Sequence, residues 1–271
     1  MSNQITSFVG GNPPPFPGGL KRGARGDAPK LLQEFLSLVG YDLELDGIFG
    51  GATEQALLLF SRERVGEEYA SKELTRRIWS DLIEPYRKAL RKLATRAQFE
   101  KLVVAYAKKH LAAGAMELKG SNLGPWVRLY MKGYEGAPFA WCAGFVCFLI
   151  RQAALTYGMS DEDMKKYLPD TFSCDKLAGW GASRSKLLTV VGEGTKILPG
   201  AIFLVYRGNS DWVHTGIVIS KNRDSVETIE GNTNVAGSRE GICVMRRFRG
   251  LKNLHFITSY SPPKSLLNIP S

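Results

Sequence analysis

Apolar residues at helical spacing mark the first ordered stretch of the chain. Leu31, Leu32, Phe35 and Leu36, extended by Leu38 and Val39, predict a helix that Gly40 is placed to end. A loop rich in Asp and Gly occupies 41–51. A second helix is expected from near Thr53, with Ala56, Leu57 and Phe60 on its buried face. A third is expected from about Ser71, burying Leu74, Ile78 and Leu82 with Trp79 alongside. Three short helices around one small core make a domain over 20–84, near the lower size limit for independent folding. A Gly/Pro-rich flexible tail, 1–19, precedes it. Segment 85–114 is helical, basic and alanine-containing, and reads as a linker made of a connecting helix pair or as the opening helix of the next domain. Over 115–262 the texture changes. A helix predicted over 141–155 is succeeded by strand-like runs at 201–206, 215–220, 226–230, 242–248 and 255–260. Helix and then serial short strands, joined by Gly/Asn/Asp turns, predict an α+β fold with an antiparallel sheet. Residues 263–271 read as a second loose tail.

Charge adds a constraint. Lys plus Arg number 36 against 26 Asp plus Glu, a net charge of +10, so the chain favours polyanionic partners: nucleic acid, anionic lipid or an acidic wall polymer. Between Arg87 and Lys109 stand Arg87, Lys88, Arg91, Lys92, Arg96, Lys101, Lys108 and Lys109 against the single acid Glu100. That stretch is either a solvated helix face or a surface that steers an anion. The longest apolar run, 139–150, has 12 residues, short of the roughly 18 a bilayer span needs, so no stable membrane insertion is expected. Four cysteines without a C-x-x-C pair, and three scattered histidines, argue against a disulfide scaffold or a structural zinc site. The N-terminus shows no basic region leading into an apolar one, so action outside the cytoplasm would require another delivery route.

Candidate chemistry sits in three places. Pro138 biases its predecessor away from helix, which puts Cys142 in the first helical turn after it. The positive end of the helix dipole and the free backbone donors there lower a thiol's pKa, although a Cys in an apolar helix is also an ordinary small core residue. His214 opens the apolar strand His214-Thr215-Gly216-Ile217-Val218-Ile219, and Glu230 lies in Glu227-Thr228-Ile229-Glu230-Gly231-Asn232. A turn over 221–224 centred on Asn222 would pair 214 directly with 230, about 5 Å apart at Cβ. There a carboxylate can orient an imidazole in a nucleophile–base–orienter triad. Cys147, Cys174 and Cys243 read as structural thiols, and His110 and His255 have no acidic or thiol partner near a motif. Trp126, Trp141, Trp180 and Trp212 suit a ligand groove and core packing equally well.

Two stretches resemble known families. Leu20-x-Arg22-Gly23-x-x-Gly26-x5-Leu32-Gln33, then Gly40-Tyr41 and Asp46-Gly47-Ile48-Phe49-Gly50-x-x-Thr53-x-x-Ala56-x3-Phe60, resemble the three-helix peptidoglycan-binding domain of bacterial wall hydrolases. Turn chemistry alone also accounts for these residues. Gly47 and Gly50 suit a tight turn with positive φ, Asp46 suits its backbone donors, and Thr53 suits a helix N-cap. Ser61-Arg62 departs from the family, which usually has Gln after the Phe. The second stretch combines Trp141-Cys142-Ala143-x-Phe145-Val146, Gly200-Ala201-Ile202-Phe203-x-Val205, His214-Thr215-Gly216-Ile217-Val218-Ile219 and Thr228-Ile229-Glu230-Gly231-Asn232-Thr233-Asn234. With the upstream Glu117-x4-Asn122-x-Gly124-Pro125-Trp126, it is similar to the CHAP domain, the cysteine- and histidine-dependent amidohydrolase/peptidase module. Here Phe139-Ala140 precede the Trp-Cys pair, where members often have Pro before Trp.

The second resemblance implies a papain-like fold over 115–262, with Cys142 as nucleophile, His214 as general base, Glu230 as orienter and Asn232 as an auxiliary polar group. Asn122, Trp126, Trp141 and Trp212 become the candidate substrate contacts, and no metal or cofactor is required. Together the two resemblances imply a peptidoglycan hydrolase. It would cleave an amide of the stem peptide or of the glycan–peptide linkage, as a phage endolysin or secreted antibacterial effector does. Such a protein acts in the periplasm or cell wall, is delivered by a phage pore or specialised secretion machinery, and can meet an immunity protein. Alternatives are a Cys-dependent acyl transferase on the same triad and a non-catalytic wall-binding adaptor. A nucleic-acid binder has only the charge in its favour, since no base-reading motif is present.

Overall fold

A computed structural model describes residues 11–94, 98–191, 195–234 and 241–267. Arg96 of the basic stretch and the outer ends of both tails lie outside the described residues. The fold is α+β, with helices in the first two thirds and one antiparallel sheet in the last.

The N-terminal helices are α1, Asp27–Leu38, α2, Gly51–Phe60, and α3, Arg76–Leu82. Leu31, Leu32, Phe35 and Leu36 of α1 are buried with Leu57 and Phe60 of α2 and Ile78 and Leu82 of α3, as the helical spacing requires. Three local expectations need correction. Gly50, not Thr53, is the N-cap of α2, and its φ of −93° is an ordinary one. Thr53 lies inside the helix, where its hydroxyl accepts from Gln33 Nε2. The third helix starts later than Ser71, because the Thr75 hydroxyl caps it by accepting the Ile78 N–H. The Asp46 turn forms as read: its carboxylate accepts the Ile48 N–H at 2.8 Å and Gln33 Nε2 at 2.7 Å. Gly47 there has φ 69°, and a Cβ would stand 2.9 Å from the Gly26 carbonyl oxygen.

Segment 85–114 contributes to the interior. Helix α4, Glu84–Leu90, buries Tyr86 and Ala89, and α5, Phe99–Ala112, buries Phe99, Leu102, Val103, Tyr106 and His110. Tyr86 joins Phe35 of α1 to Trp126 of α6, Pro125–Tyr130, at ring separations of 5.6 and 4.5 Å. The apolar core therefore runs without a break from the N-terminal helices to the sheet. Both expected loose tails take part in it where described: Pro14 and Leu267 are buried and Phe16 packs on the core.

Helix α7, Cys142–Thr156, matches the predicted range closely, and α8, Asp161–Tyr167, and α9, Cys174–Ser183, succeed it. The strands are β1, Leu187–Leu188, β2, Ile202–Gly208, β3, Asp211–Lys221, β4, Ser225–Thr233, β5, Cys243–Gly250, and β6, Leu254–Ile257. They form an antiparallel sheet in the order β1-β6-β2-β3-β4-β5. Helix α7 packs on β3 and β4, and α9 on β3.

Candidate active site

The start of α7 meets the end of β4 because a glycine allows it. A Cβ on Gly231 would lie 2.7 Å from the Trp141 ring and 2.8 Å from Phe145. Only a bare backbone fits there, so Glu230, next to Gly231, is brought close to Cys142, next to Trp141. Cys142 is the first residue of α7 and is 4% exposed.

The β3–β4 hairpin differs from the expected pairing. The turn spans 222–225, with the Asn222 N–H donating to the Ser225 carbonyl at 2.8 Å. A register shift then falls between Val218 and Ser220, so that Ile217 pairs with Ile229. The direct pairing of 214 with 230 is therefore wrong by two residues. An even displacement keeps both side chains on the same face of the sheet, so contact survives along the diagonal. Glu230 instead lies across from Gly216, whose missing Cβ would stand 3.0 Å from Glu230 Cγ. From there the carboxylate reaches His214: Nε2 and Oε2 are 2.9 Å apart.

Glu230 is fully buried and held on several sides. Arg249 of β5 donates to it twice, Nε to Oε1 and Nη2 to Oε2, both at 2.6 Å, and the Thr228 hydroxyl donates to Oε1 at 2.6 Å. The guanidinium also lies over the Phe203 ring, 5.3 Å from its centroid. Burial would raise the Glu230 pKa, but the hydrogen bonds and charges of Arg249 and His214 outweigh it and bring it down to about 2. Its charge is fixed, and His214 Nε2 is the proton donor to it. Among the described residues His214 Nδ1 has no other hydrogen-bond partner and is left for the Cys142 thiol. Burial works against the imidazolium, yet the interactions with Cys142 and Glu230 raise the His214 pKa to about 9. The Cys142 thiol is pushed well below its ordinary value. The foremost cause is a hydrogen bond from Cys174, whose Sγ is 3.7 Å away; burial opposes it, and His214 and the Ala143 N–H add to it. The two shifts run in opposite directions, the thiol's down and the imidazole's up, as a thiolate–imidazolium pair beside a charged carboxylate requires.

The remaining expected residues fall in different surroundings. Asn232 is buried two positions beyond Glu230, in left-handed backbone with φ 53°, at a register shift between β4 and β5. Trp126 and Trp141, expected as groove residues, are 2% and 0% exposed. Trp126 packs between Tyr86 and Tyr130. Trp141 stacks on Tyr130 at 5.3 Å and donates to Glu117 Oε2. Both serve the core. Trp212 is half-buried against Tyr206 and His255, its ring N–H donating to His255 Nδ1 at 3.1 Å. Asn122 is half-buried in left-handed backbone, φ 58°, with Nδ2 donating to the Ala137 carbonyl. It shapes the loop before Cys142. Of the thiols read as structural, Cys147 has its pKa pushed up to about 12 by burial, and Cys243 is raised by the same cause.

Two groups at the site were not singled out by sequence. Arg249 becomes visible only once β4 and β5 are paired, with Val226 opposite it. Cys174 was read as structural and instead stands beside Cys142; the signal available was Ser173, a helix-capping residue immediately before it. Among the described residues no group of three or more His, Cys, Asp or Glu side chains could hold a metal ion, and no helix is long and apolar enough to cross a membrane. No protein-family model matches the sequence, and no curated protein matches it.

Proposed function

We propose that this protein is a cysteine hydrolase of peptidoglycan amide bonds. The observation that carries the chemistry is the linked set Cys142, His214 and Glu230, with a low-pKa thiol at a helix N-terminus and an imidazole held by a buried carboxylate. The substrate class rests on the resemblance of 20–84 to wall-binding three-helix domains and of 115–262 to CHAP domains, whose papain-like arrangement we assign to α7 and the sheet.

In this reading the proton already resides on His214 before substrate arrives. The Cys142 thiolate attacks the amide carbonyl carbon, and the oxygen takes the negative charge. As the tetrahedral intermediate collapses, the C–N bond breaks and His214 gives its proton to the leaving amine. A thioester remains on Cys142. Neutral His214 then takes a proton from water, the hydroxide attacks the thioester carbonyl, the C–S bond breaks to restore the thiolate, and the carboxylic acid product gives its proton to solvent as it leaves. Glu230 keeps Nε2 protonated throughout, so Nδ1 is the nitrogen that exchanges the proton.

Purified sacculi provide the test. The parent is expected to lower their turbidity and release fragments with one new amine and one new carboxylate per cut, whose masses identify the bond. Cys142→Ala should lose activity by about four orders of magnitude or more, since nucleophile and base act as a unit. Digestion by Cys142→Ala at the parent's rate overturns the mechanism. Intact sacculi after treatment with the parent overturn the substrate class. Transfer of the acyl group to an added amine, with no free carboxylate, would identify an acyl transferase.

A further inference from the structure

Two helices direct their N-termini at one pair of sulfurs. Cys142 is the first residue of α7, 15 residues long, and Cys174 is the first residue of α9, 10 residues long. Their Sγ atoms are 3.7 Å apart, and the residues are 4% and 8% exposed. Ser173 caps α9 by accepting the Lys176 N–H. Asp175 ties that N-terminus to β3, its carboxylate accepting the Trp212 N–H at 2.7 Å, two residues before His214. The juxtaposition of Cys174 with Cys142 is therefore built by the same strand that carries the imidazole.

Accepting Cys142 as the nucleophile of the proposed hydrolase, we propose that Cys174 is a positioning residue that shares a single proton with it, Cys174 carrying the proton and Cys142 the charge. The convergent helix ends favour one negative charge at the pair. A second thiolate so close, with little water, is opposed by like-charge repulsion. The surrounding charges decide which sulfur is ionised. Cys142 faces the His214 imidazolium, which Glu230 and Arg249 back. Cys174 is kept protonated foremost by its hydrogen bond to Cys142, then by burial, with the charge of Asp175 on its own helix adding to both. A thiol is a weak donor to neutral acceptors, but an anionic acceptor strengthens the bond. The S–H of Cys174 thus holds the Cys142 thiolate in place and keeps its charge from being quenched.

Alkylation by iodoacetamide, tracked against pH with each cysteine identified by peptide mass, tests this in the full chain. In Cys174→Ala the Cys142 inflection should move up by about one unit, which lowers its alkylation rate about ten-fold at pH values below the inflection. Cys174→Ser retains an O–H donor and should return the profile most of the way to the parent's. The coupling must also be reciprocal. In Cys142→Ala the inflection of Cys174 should fall, because the neighbouring thiolate is gone. That measurement decides the matter if circular dichroism shows Cys174→Ala unfolded. An unmoved Cys142 profile in folded Cys174→Ala, or a Cys174 that titrates identically with and without Cys142, overturns the proposal. None of these arms uses a wall substrate. Failure on sacculi therefore refutes the hydrolase reading alone, and unchanged alkylation profiles refute the shared proton alone.

Discussion

Proton counting at the Cys142–His214 pair gives a signature that activity cannot. The His214 pKa is raised from 6.5 to about 9, so its stabilising contribution is complete below about 6.5 and is lost as pH rises through about 9. The Cys142 shift has the opposite sign: its contribution is complete above the unfolded value of 9.0 and is lost as pH falls through its lowered value. Where the folded pair is thiolate and imidazolium and the unfolded chain holds a thiol and a neutral imidazole, each carries one proton and the pair adds no slope. Below about 6.5 the unfolded chain takes a second proton and stability falls. Urea midpoints measured across this range are expected to level off above about pH 6.5. A steady decline from there to about 9 would mean a charged imidazole beside a neutral thiol. Glu230 adds an acid limb, its contribution being lost as pH falls from about 4.5 to about 2. Arg249→Gln leaves that buried carboxylate with one cationic partner, and urea denaturation should show a loss of about 3 kcal/mol. His214, Glu230 and Cys142 were legible in sequence because each begins or ends a patterned run. Arg249 was not, because an Arg in an alternating strand is usually a solvated residue and only the β4–β5 register brings it to the carboxylate.

At the level of elements, the site depends on how closely β4 can approach the start of α7. Gly231→Ala would set a methyl group within 3 Å of Trp141 and Phe145. Relief requires strand and helix to separate, at about 1–3 kcal/mol for an overpacked contact. The variant should melt lower than the parent, and Cys142 should alkylate with a higher pH inflection as His214 and Glu230 draw away with β4. A parent-like inflection in a folded Gly231→Ala protein would show that the approach does not matter to the thiol. The helix over 141–155 and the strand runs were readable from period and turn residues, and α7, β3 and β4 match them closely. The hairpin register was not, since the four-residue turn and the register shift beyond Val218 depend on pairing that no local signal records. Helices α8 and α9 were missed altogether. Their capping residues Ser160 and Ser173 precede segments of only 7 and 10 residues.

Across the whole molecule, the positive charge lies beyond the first 90 residues, which carry 11 Lys plus Arg against 12 Asp plus Glu. The excess of positive charge suits an anionic polymer as partner, in keeping with the proposed substrate. The core, in contrast, gives the N-terminal helices no independence. Arg128 of α6, half-buried, is a fork between the buried Glu34 of α1, at 2.5 and 3.0 Å, and Glu135 in the loop leading to Cys142, at 2.8 Å. With Phe35 edge-on to Tyr86 and Tyr86 tilted against Trp126, this seam is the kind of interior that domains with a loose hinge lack. Its consequence is thermodynamic cooperativity. Detaching α1–α3 would expose the apolar faces of Tyr86 and Trp126 and take Glu34 from the Arg128 guanidinium, so the helices are expected to unfold with the rest of the chain. Calorimetry should record one heat-absorption peak whose calorimetric and van't Hoff enthalpies agree, and Arg128→Met should shift that peak downward whole. Two resolved peaks would show instead that the helices melt on their own.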